Sequence, residues 1–388
     1  MQFFLCNSNN LCNFAANLSQ KMSLDKKIPL PPRNRRMDIL RAIVIVLVVL
    51  GHNFPHPGFT WFDVYFPMAP YRLAIFLFAS GYFFRDLTWE KYPSFLWKKT
   101  KGLALPLLGW NIVYAGIVSL LVWRNVVDYL PSLDSIWSFN SLLVEPFVTG
   151  HQYTLNLATW FVGMLYPALL LYGVLNIVLR RVNDHVLLGV YLLLAIAGLR
   201  FASLAQMSHY WYLPLHISYA LFFIHFGKYY RQYIEPYIER LSSWILIPAC
   251  LLVSYLVVHI GGEVPYSLAW MNYGGRVITP LLMAIAGILL WVRIAGIIER
   301  HVVPNGIEKA VSESTWDIMT HHLLVKLAVG WALIHLGTEP ELVAAFRSSI
   351  WFMPARLGCW TLVGLEVVLP VAWHYLFGYF KDKLGIKL

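Results

Sequence analysis

Charged residues are scarce in this chain. Asp, Glu, Lys and Arg make up 13% of its 388 residues, whereas a soluble domain usually contains about a quarter. Hydrophobic residues make up 59%, and 16% of the residues are aromatic. This composition excludes an ordinary soluble protein, and we predict an integral membrane protein.

Disulfide-type and metal-type patterns are also missing. The four cysteines show neither a disulfide framework nor a zinc spacing. His52 and His56 have a metal-like spacing, but Pro55 and Pro57 break the helix between and after them. We therefore predict no metal site and no permanently bound cofactor.

The N-terminal stretch lacks the order of a secretory signal. Residues 1–36 contain no basic segment that is followed by a sustained apolar core. We predict that they form a weakly ordered cytoplasmic tail, followed by one membrane domain over residues 37–388. No internal repeat is evident, which weakens the case for an inverted-repeat transporter.

Long apolar runs fill the rest of the chain. A spanning helix needs roughly 20 mostly apolar residues, and ten segments meet or approach this length. Their approximate bounds are 38–54, 68–84, 102–122, 157–179, 186–205, 211–229, 243–261, 277–297, 316–336 and 358–380. Arg72 and Arg200 shorten the second and the fifth. The sequence therefore predicts an all-α, polytopic fold of about ten transmembrane helices.

Lys and Arg concentrate on one side of the predicted membrane. If the N-terminus is cytoplasmic, 22 of them lie on the inner side and four lie in outer loops. This asymmetry predicts that both termini are cytoplasmic. The net charge of +10 is then a topology signal rather than a nucleic-acid surface. We expect a multi-pass protein of the inner cell membrane, in contact with lipids.

Two ionisable residues lie in or beside the first apolar run, "RMDILRAIVIVLVVLGHN". Arg41 and His52 are eleven positions apart, which on an α-helix leaves them about 20° apart around the axis and about 16 Å apart along it. Ionisable groups at this depth usually face the bundle interior or a wet cavity. We therefore expect both to line one wet passage. The alternative is that Arg41 snorkels to the interface and His52 only ends the helix.

The same stretch resembles the first helix of the acyltransferase-3 family of membrane enzymes, which carries an arginine and a histidine separated by ten residues. Further segments resemble motifs of that family in the same order. They are "FLFASGYFF" at 76–84, "KKTKGLALP" at 98–106, "TWFVGML" at 159–165, "YALFFIHFGKYYR" at 219–231 and "STWDIMTHH" at 314–322. The sequences of these motifs are most similar to those of the branch of fucose 4-O-acetylase-like enzymes. Ten helices with both termini inside is also the layout of that family.

The resemblance implies an O-acyltransferase. Such an enzyme moves an acyl group, usually acetyl from cytoplasmic acetyl-CoA, to a hydroxyl of an envelope glycan or of its lipid-linked precursor. His52 is then the candidate general base, because a sugar hydroxyl is a poor nucleophile at neutral pH. Arg41 is the candidate contact for the thioester or pantetheine end of the donor. The Ser80 hydroxyl is not expected to be a nucleophile, because a Ser-Gly step typically lets two helices approach closely.

The basic cluster that opens the third helix suits the phosphates of CoA by its charge. Lys98, Lys99 and Lys101 are the candidates, although the positive-inside rule alone would also explain them. Family members often carry arginine here, and lysine lacks the bidentate fork of arginine. The matching motifs also make Tyr82 and Trp160 predicted substrate-binding residues.

The late helix adds a second group of candidates. His322 stands at the late histidine of the family pattern, so it is expected either to line the site or to make an interhelical hydrogen bond. Asp317 could orient His321, which lies four positions on. The two adjacent histidines cannot both face one substrate. Lys326 and Glu366 could form a buried bridge that serves packing.

A proton-coupled transporter is the alternative function. In that hypothesis His52, Arg41, Asp317 and His321 would relay charge. A transporter of this size is expected to show repeat symmetry and interrupted helices in matching halves, whereas a CoA-dependent enzyme needs basic residues clustered on the inner face. The chain shows the second pattern, so the acyltransferase is the preferred prediction.

Overall fold

The computed structural model describes residues 34–53, 66–204, 209–261, 267–354 and 357–383. Within these ranges the chain forms helices and no β-strand, so the predicted all-α class is confirmed. The predicted tail, residues 1–36, lies almost entirely outside the described residues.

The described ranges contain ten long helices, and each overlaps one of the ten predicted segments. They are α1 (Arg35–Gly51), α2 (Ala69–Tyr82), α3 (Tyr92–Trp123), α4 (Trp160–Val178), α5 (Asp184–Leu204), α6 (Tyr212–Tyr229), α7 (Ser243–Gly261), α8 (Ile278–His301), α9 (Thr315–His335) and α10 (Cys359–Lys383). Helix α3 contains one π-helical segment, Thr100–Ala104. Short helices at Leu133–Ile136, Asn140–Val144 and Glu145–Val148 lie in the long loop before α4.

Seven of these helices are long and apolar enough to cross a membrane, so the protein is polytopic. The other three are α1, α2 and α6, and α2 is the shortest of the ten, with 14 residues. The total number of spans and the side on which the termini lie stay predictions.

The first turn of α1 is held by a cluster of ions. The guanidinium of Arg36 donates to Glu299 at 3.0 Å and also bonds Glu239, which in turn pairs with Arg300 at 2.6 Å. These contacts join the start of α1 to the end of α8 and to the turns after α6. They hold in register the helix that carries Arg41 and His52.

Helices α2 and α6 approach each other through two glycines. A β-carbon on Gly81 would overlap the backbone carbonyl of Ile224, and one on Gly227 would overlap the carbonyl of Phe78. The predicted close approach at the Ser-Gly step is therefore confirmed. The Ser80 hydroxyl donates to the Phe76 carbonyl at 2.9 Å, as serines inside helices commonly do.

Candidate functional site

A large cavity opens at the end of the bundle where α1 begins. It has a volume of about 700 Å³ and is lined by residues of α1, α2, α3, α4 and α9. We call it the inner cavity, because the basic residues predict this side to be cytoplasmic. Most of its wall is apolar, and its cations are Arg41, Arg85, Lys98 and Lys99. Arg85 and Lys98 are exposed, so the basic rim meets solvent.

A second cavity lies at the other end of α1. It has a volume of about 280 Å³, and we call it the outer cavity. His52 and Arg72 line it together with three tryptophans, Trp160, Trp270 and Trp351. Trp160 is buried, whereas the other two indoles are exposed at the mouth. A narrow site with aromatic walls and a few polar groups is typical of small-molecule pockets.

The sequence predicts one passage for Arg41 and His52, but the structure divides it into two cavities. Arg41 lines the inner cavity and His52 lines the outer cavity. Among the described residues, Met319 of α9 is the one side chain that belongs to both linings. The two cavities therefore share a wall at the side chain of Met319.

Hydrogen bonds assign the single proton of each imidazole in a histidine pair to its Nδ1 atom. The Nδ1 atom of His322 lies 2.8 Å from the Ile318 carbonyl oxygen, which can only accept, so this nitrogen carries the proton. In the neutral imidazole the Nε2 atom of His322 is then an acceptor, and it lies 3.0 Å from Nδ1 of His52. The proton on His52 is thereby assigned to Nδ1, and its Nε2 atom keeps a lone pair.

A buried polar network holds the backbone at His52. Lys326 donates to the His52 carbonyl oxygen at 3.1 Å and to Oδ1 of Asn53 at 2.9 Å. The amide group of Asn53 donates in turn to a carboxylate oxygen of Glu366. Asn53, Lys326 and Glu366 are at most 1% exposed. The predicted bridge between Lys326 and Glu366 is thus mediated by Asn53, and the network connects α9 and α10 to the end of α1.

Arg72 reaches this site because Gly51 has no side chain. A β-carbon on Gly51 would overlap the guanidinium of Arg72. Glycine here therefore lets α2 bring a positive charge against the last turn of α1, one residue before His52. In the sequence Arg72 is only an interruption of an apolar run, because nothing local indicates that it lies beside His52.

His151, in the loop before α4, is a second residue that sequence analysis missed. Its ring stacks on Trp270 with centroids 4.1 Å apart and faces Trp160 at 6.3 Å. Burial lowers the pKa of His151 to about 4, so the ring is neutral at neutral pH. Neither ring nitrogen has a hydrogen-bond partner among the described residues, and the ring lines the outer cavity.

Three other predicted residues, Lys101, Tyr82 and His322, lie outside the two linings, as far as the chain is described. Lys101 is exposed and is not part of the inner wall. The Tyr82 hydroxyl donates to the Glu235 carboxylate at 3.0 Å. His322 contacts His52 rather than either cavity. Trp160, by contrast, lines the outer cavity, and its role in substrate binding stays a prediction.

His321 and Asp317 belong to separate structural contacts. The Nδ1 atom of His321 lies 3.1 Å from the Tyr114 hydroxyl, and its ring packs on Trp110. Asp317 is 3.9 Å from His321 but 2.7 Å from Nδ1 of His374 in α10. The expectation that Asp317 orients His321 is thus replaced by a contact between α9 and α10. The two adjacent histidines do face different neighbours.

No group of three or more His, Cys, Asp or Glu side chains within the described ranges has the arrangement of a metal site. His56, the second member of the metal-like pair, lies outside the described residues.

Comparison with known proteins adds one match. A family model described as an acyltransferase domain matches residues 34–303, well over half of the chain. Both cavities draw residues from this range, but Met319 and His322 follow it. No curated protein and no solved structure matches the chain.

Proposed function

Because the chain belongs to the acyltransferase-3 family and is a polytopic membrane O-acyltransferase, we propose that it transfers an acetyl group from cytoplasmic acetyl-CoA to a sugar hydroxyl. The acceptor is a glycan of the cell envelope or its lipid-linked precursor, and the enzyme works in the inner membrane. The observation that carries the proposal is the pair of cavities that share Met319, with Arg41 in the lining of the inner one and His52 in the lining of the outer one.

The inner cavity suits an acyl-CoA donor. Its basic rim, Arg85, Lys98 and Lys99, matches the phosphates of CoA by charge. Its largely apolar wall can pack against the methylene and methyl groups of the pantetheine arm, and Arg41 also lines this cavity. Arg85 takes over the part that the sequence assigned to Lys101, which is not part of this wall.

The outer cavity suits a sugar. The flat indole faces of Trp160, Trp270 and Trp351 can pack against the apolar face of a pyranose ring. The ring nitrogens of His151 have no hydrogen-bond partner among the described residues, and a sugar hydroxyl would supply one. A volume of about 280 Å³ has room for the sugar that reacts, while the rest of the glycan extends past the exposed tryptophans.

The chemistry follows from the proton positions at His52. The acceptor hydroxyl gives its proton to the Nε2 atom of His52 as its oxygen attacks the thioester carbonyl carbon. A tetrahedral oxyanion forms, and the guanidinium of Arg72 beside the same cavity can stabilise its charge. The carbon–sulfur bond then breaks, the sulfur takes the proton from His52, and the products are the acetyl ester and free CoA.

The test is acyl transfer by purified protein in lipid vesicles. Radiolabelled acetyl-CoA is supplied with envelope glycans extracted from cells that lack the gene, and esters are identified by mass spectrometry. We expect label in an alkali-labile ester of a sugar, which a His52→Ala protein does not form. No label from any acyl-CoA would overturn the proposal. If label is transferred only from another acyl-CoA, the donor is that acyl-CoA rather than acetyl-CoA.

A further inference from the structure

Met319 occupies a special position on α9. Thr315 and Trp316, four and three residues before it, line the inner cavity, and His322, three residues after it, bonds His52. Residues at this spacing share one face of a helix. Met319 therefore stands between the donor side and the histidine pair, with only 4% of its surface exposed.

The geometry points to Met319 as the residue that limits the length of the acyl group that the enzyme transfers. This inference rests on the proposed function. If the thioester enters from the inner cavity and the hydroxyl from the outer cavity, the two reacting atoms must meet beside their common wall. Among the described residues, the only side chain in both linings is that of Met319.

The reason is steric. The inner cavity is large enough for a long arm, so its body sets no limit on the acyl chain. The outer cavity must hold the sugar during the reaction. The carbons of the acyl group beyond its carbonyl therefore have to fit beside the side chain at position 319. Methionine is long and unbranched, so it fills this space but can move enough to admit an acetyl group.

Two substitutions at position 319 separate the effect of side-chain volume from the effect of replacing methionine. Met319→Ala opens space beside the reacting carbonyl, whereas Met319→Leu keeps about the same volume. Leu103→Ala is the matched control, because Leu103 lines the inner cavity but not the outer one. Each purified protein receives acetyl-CoA, propionyl-CoA and butyryl-CoA with the same acceptor, and kcat/KM is measured for each donor.

We expect Met319→Ala to raise the butyryl-to-acetyl ratio of kcat/KM about tenfold or more, the scale on which pockets discriminate single methylene groups. Met319→Leu and Leu103→Ala should leave this ratio within about threefold of the unsubstituted protein. An unchanged ratio in an active Met319→Ala protein overturns the inference and leaves the proposed function intact. If the unsubstituted protein transfers no acyl group from any donor, both are overturned.

A labelling experiment covers the case in which Met319→Ala is inactive. In a protein whose four native cysteines are replaced, Met319→Cys should react with a small membrane-impermeant thiol reagent added to either side of the membrane. The matched substitution Leu103→Cys should react from the inner side alone. Labelling of the Met319→Cys protein from one side only would overturn the shared wall and the inference with it.

Discussion

The Nε2 atom of His322 lies 3.0 Å from the Nδ1 atom of His52. These residues are 270 positions apart in the chain, and the contact joins α9 to the end of α1. Because the other nitrogen of His322 donates to the Ile318 carbonyl, the pair can exist in one neutral arrangement only, with the lone pair of His52 on Nε2. A general base needs that lone pair, so His322 acts as a positioning residue in the proposed reaction.

Replacement of His52 tests the base itself. We expect His52→Ala to lower kcat for acetyl transfer by about 10²- to 10⁴-fold, the usual contribution of a positioned general base. The amount of protein in the membrane should stay unchanged, because His52 follows the last residue of α1 and lines a cavity. Both quantities are measured in vesicles of matched protein content. Near-normal kcat in His52→Ala would remove His52 from the mechanism.

Two amide substitutions test the positioning role of His322. In His322→Gln the side-chain amide reaches the place of Nε2 and can still accept the proton of His52, whereas in His322→Asn it reaches only the place of Nδ1. Loss of a buried hydrogen bond costs about 1–3 kcal/mol, so we expect about ten- to hundredfold lower kcat for Asn. Gln should retain most of the kcat.

A purely structural role for His322 would give a different pattern. Both amides would then lower thermal stability and kcat in parallel, and acceptor KM would change as much as kcat. Melting temperatures of the two proteins in detergent, measured beside their kinetics, distinguish the two cases.

The glycine before His52 should be sensitive to the smallest possible change. Gly51→Ala puts a methyl group where the Arg72 guanidinium lies, so we expect Arg72 to move and kcat to fall about tenfold or more. Alanine otherwise favours a helix over glycine by about 1 kcal/mol, so stability alone predicts no loss. Gly116→Ala in α3 is the control, because its methyl group would meet no atom within 4 Å. Equal activity of the two variants would contradict a role for the position of Arg72.

Replacement of Arg41 tests the proposed contact with the acyl-CoA donor. Hydrogen bonds to charged groups contribute about 1.5–3 kcal/mol, so Arg41→Ala should raise KM for acetyl-CoA about tenfold or more and leave KM for the acceptor nearly unchanged. Lys101→Ala removes the same charge from outside the inner cavity, and we expect little effect on either KM. Equal increases in both KM values for Arg41→Ala would argue against a donor contact.

The predicted orientation can be tested without a substrate. In a cysteine-free protein, Asn140→Cys should react with a membrane-impermeant thiol reagent from the outer side. Gln232→Cys, which follows α6, should react only from the cytoplasmic side, because the positive-inside rule assigns it there. Both positions are exposed, so accessibility within the protein does not limit labelling. The opposite pattern would reverse the topology and the side from which the donor enters.

Some residues of the candidate site can be identified from the sequence, and others cannot. Arg41 and His52 were identified because an ionisable group in an apolar helix is costly and conspicuous. Arg72 has the same property, but its importance depends on a contact with Gly51 across two helices. His151 lies in a polar loop, where a histidine is common and its sequence position does not indicate a functional site. The match to the family model ends at residue 303, so it does not include the part of the site that lies on α9.

The sequence by itself determined the all-α membrane class and the approximate positions of ten long helices. These properties depend on the local length of apolar runs and on the helical period, which neighbouring residues specify. Tertiary structure alone decided that the expected passage is two cavities with Met319 between them, that His322 bonds His52, and that Asn53 joins Lys326 to Glu366. Such contacts depend on which helix faces meet in the folded bundle, and the spacing of residues along one helix does not contain that information.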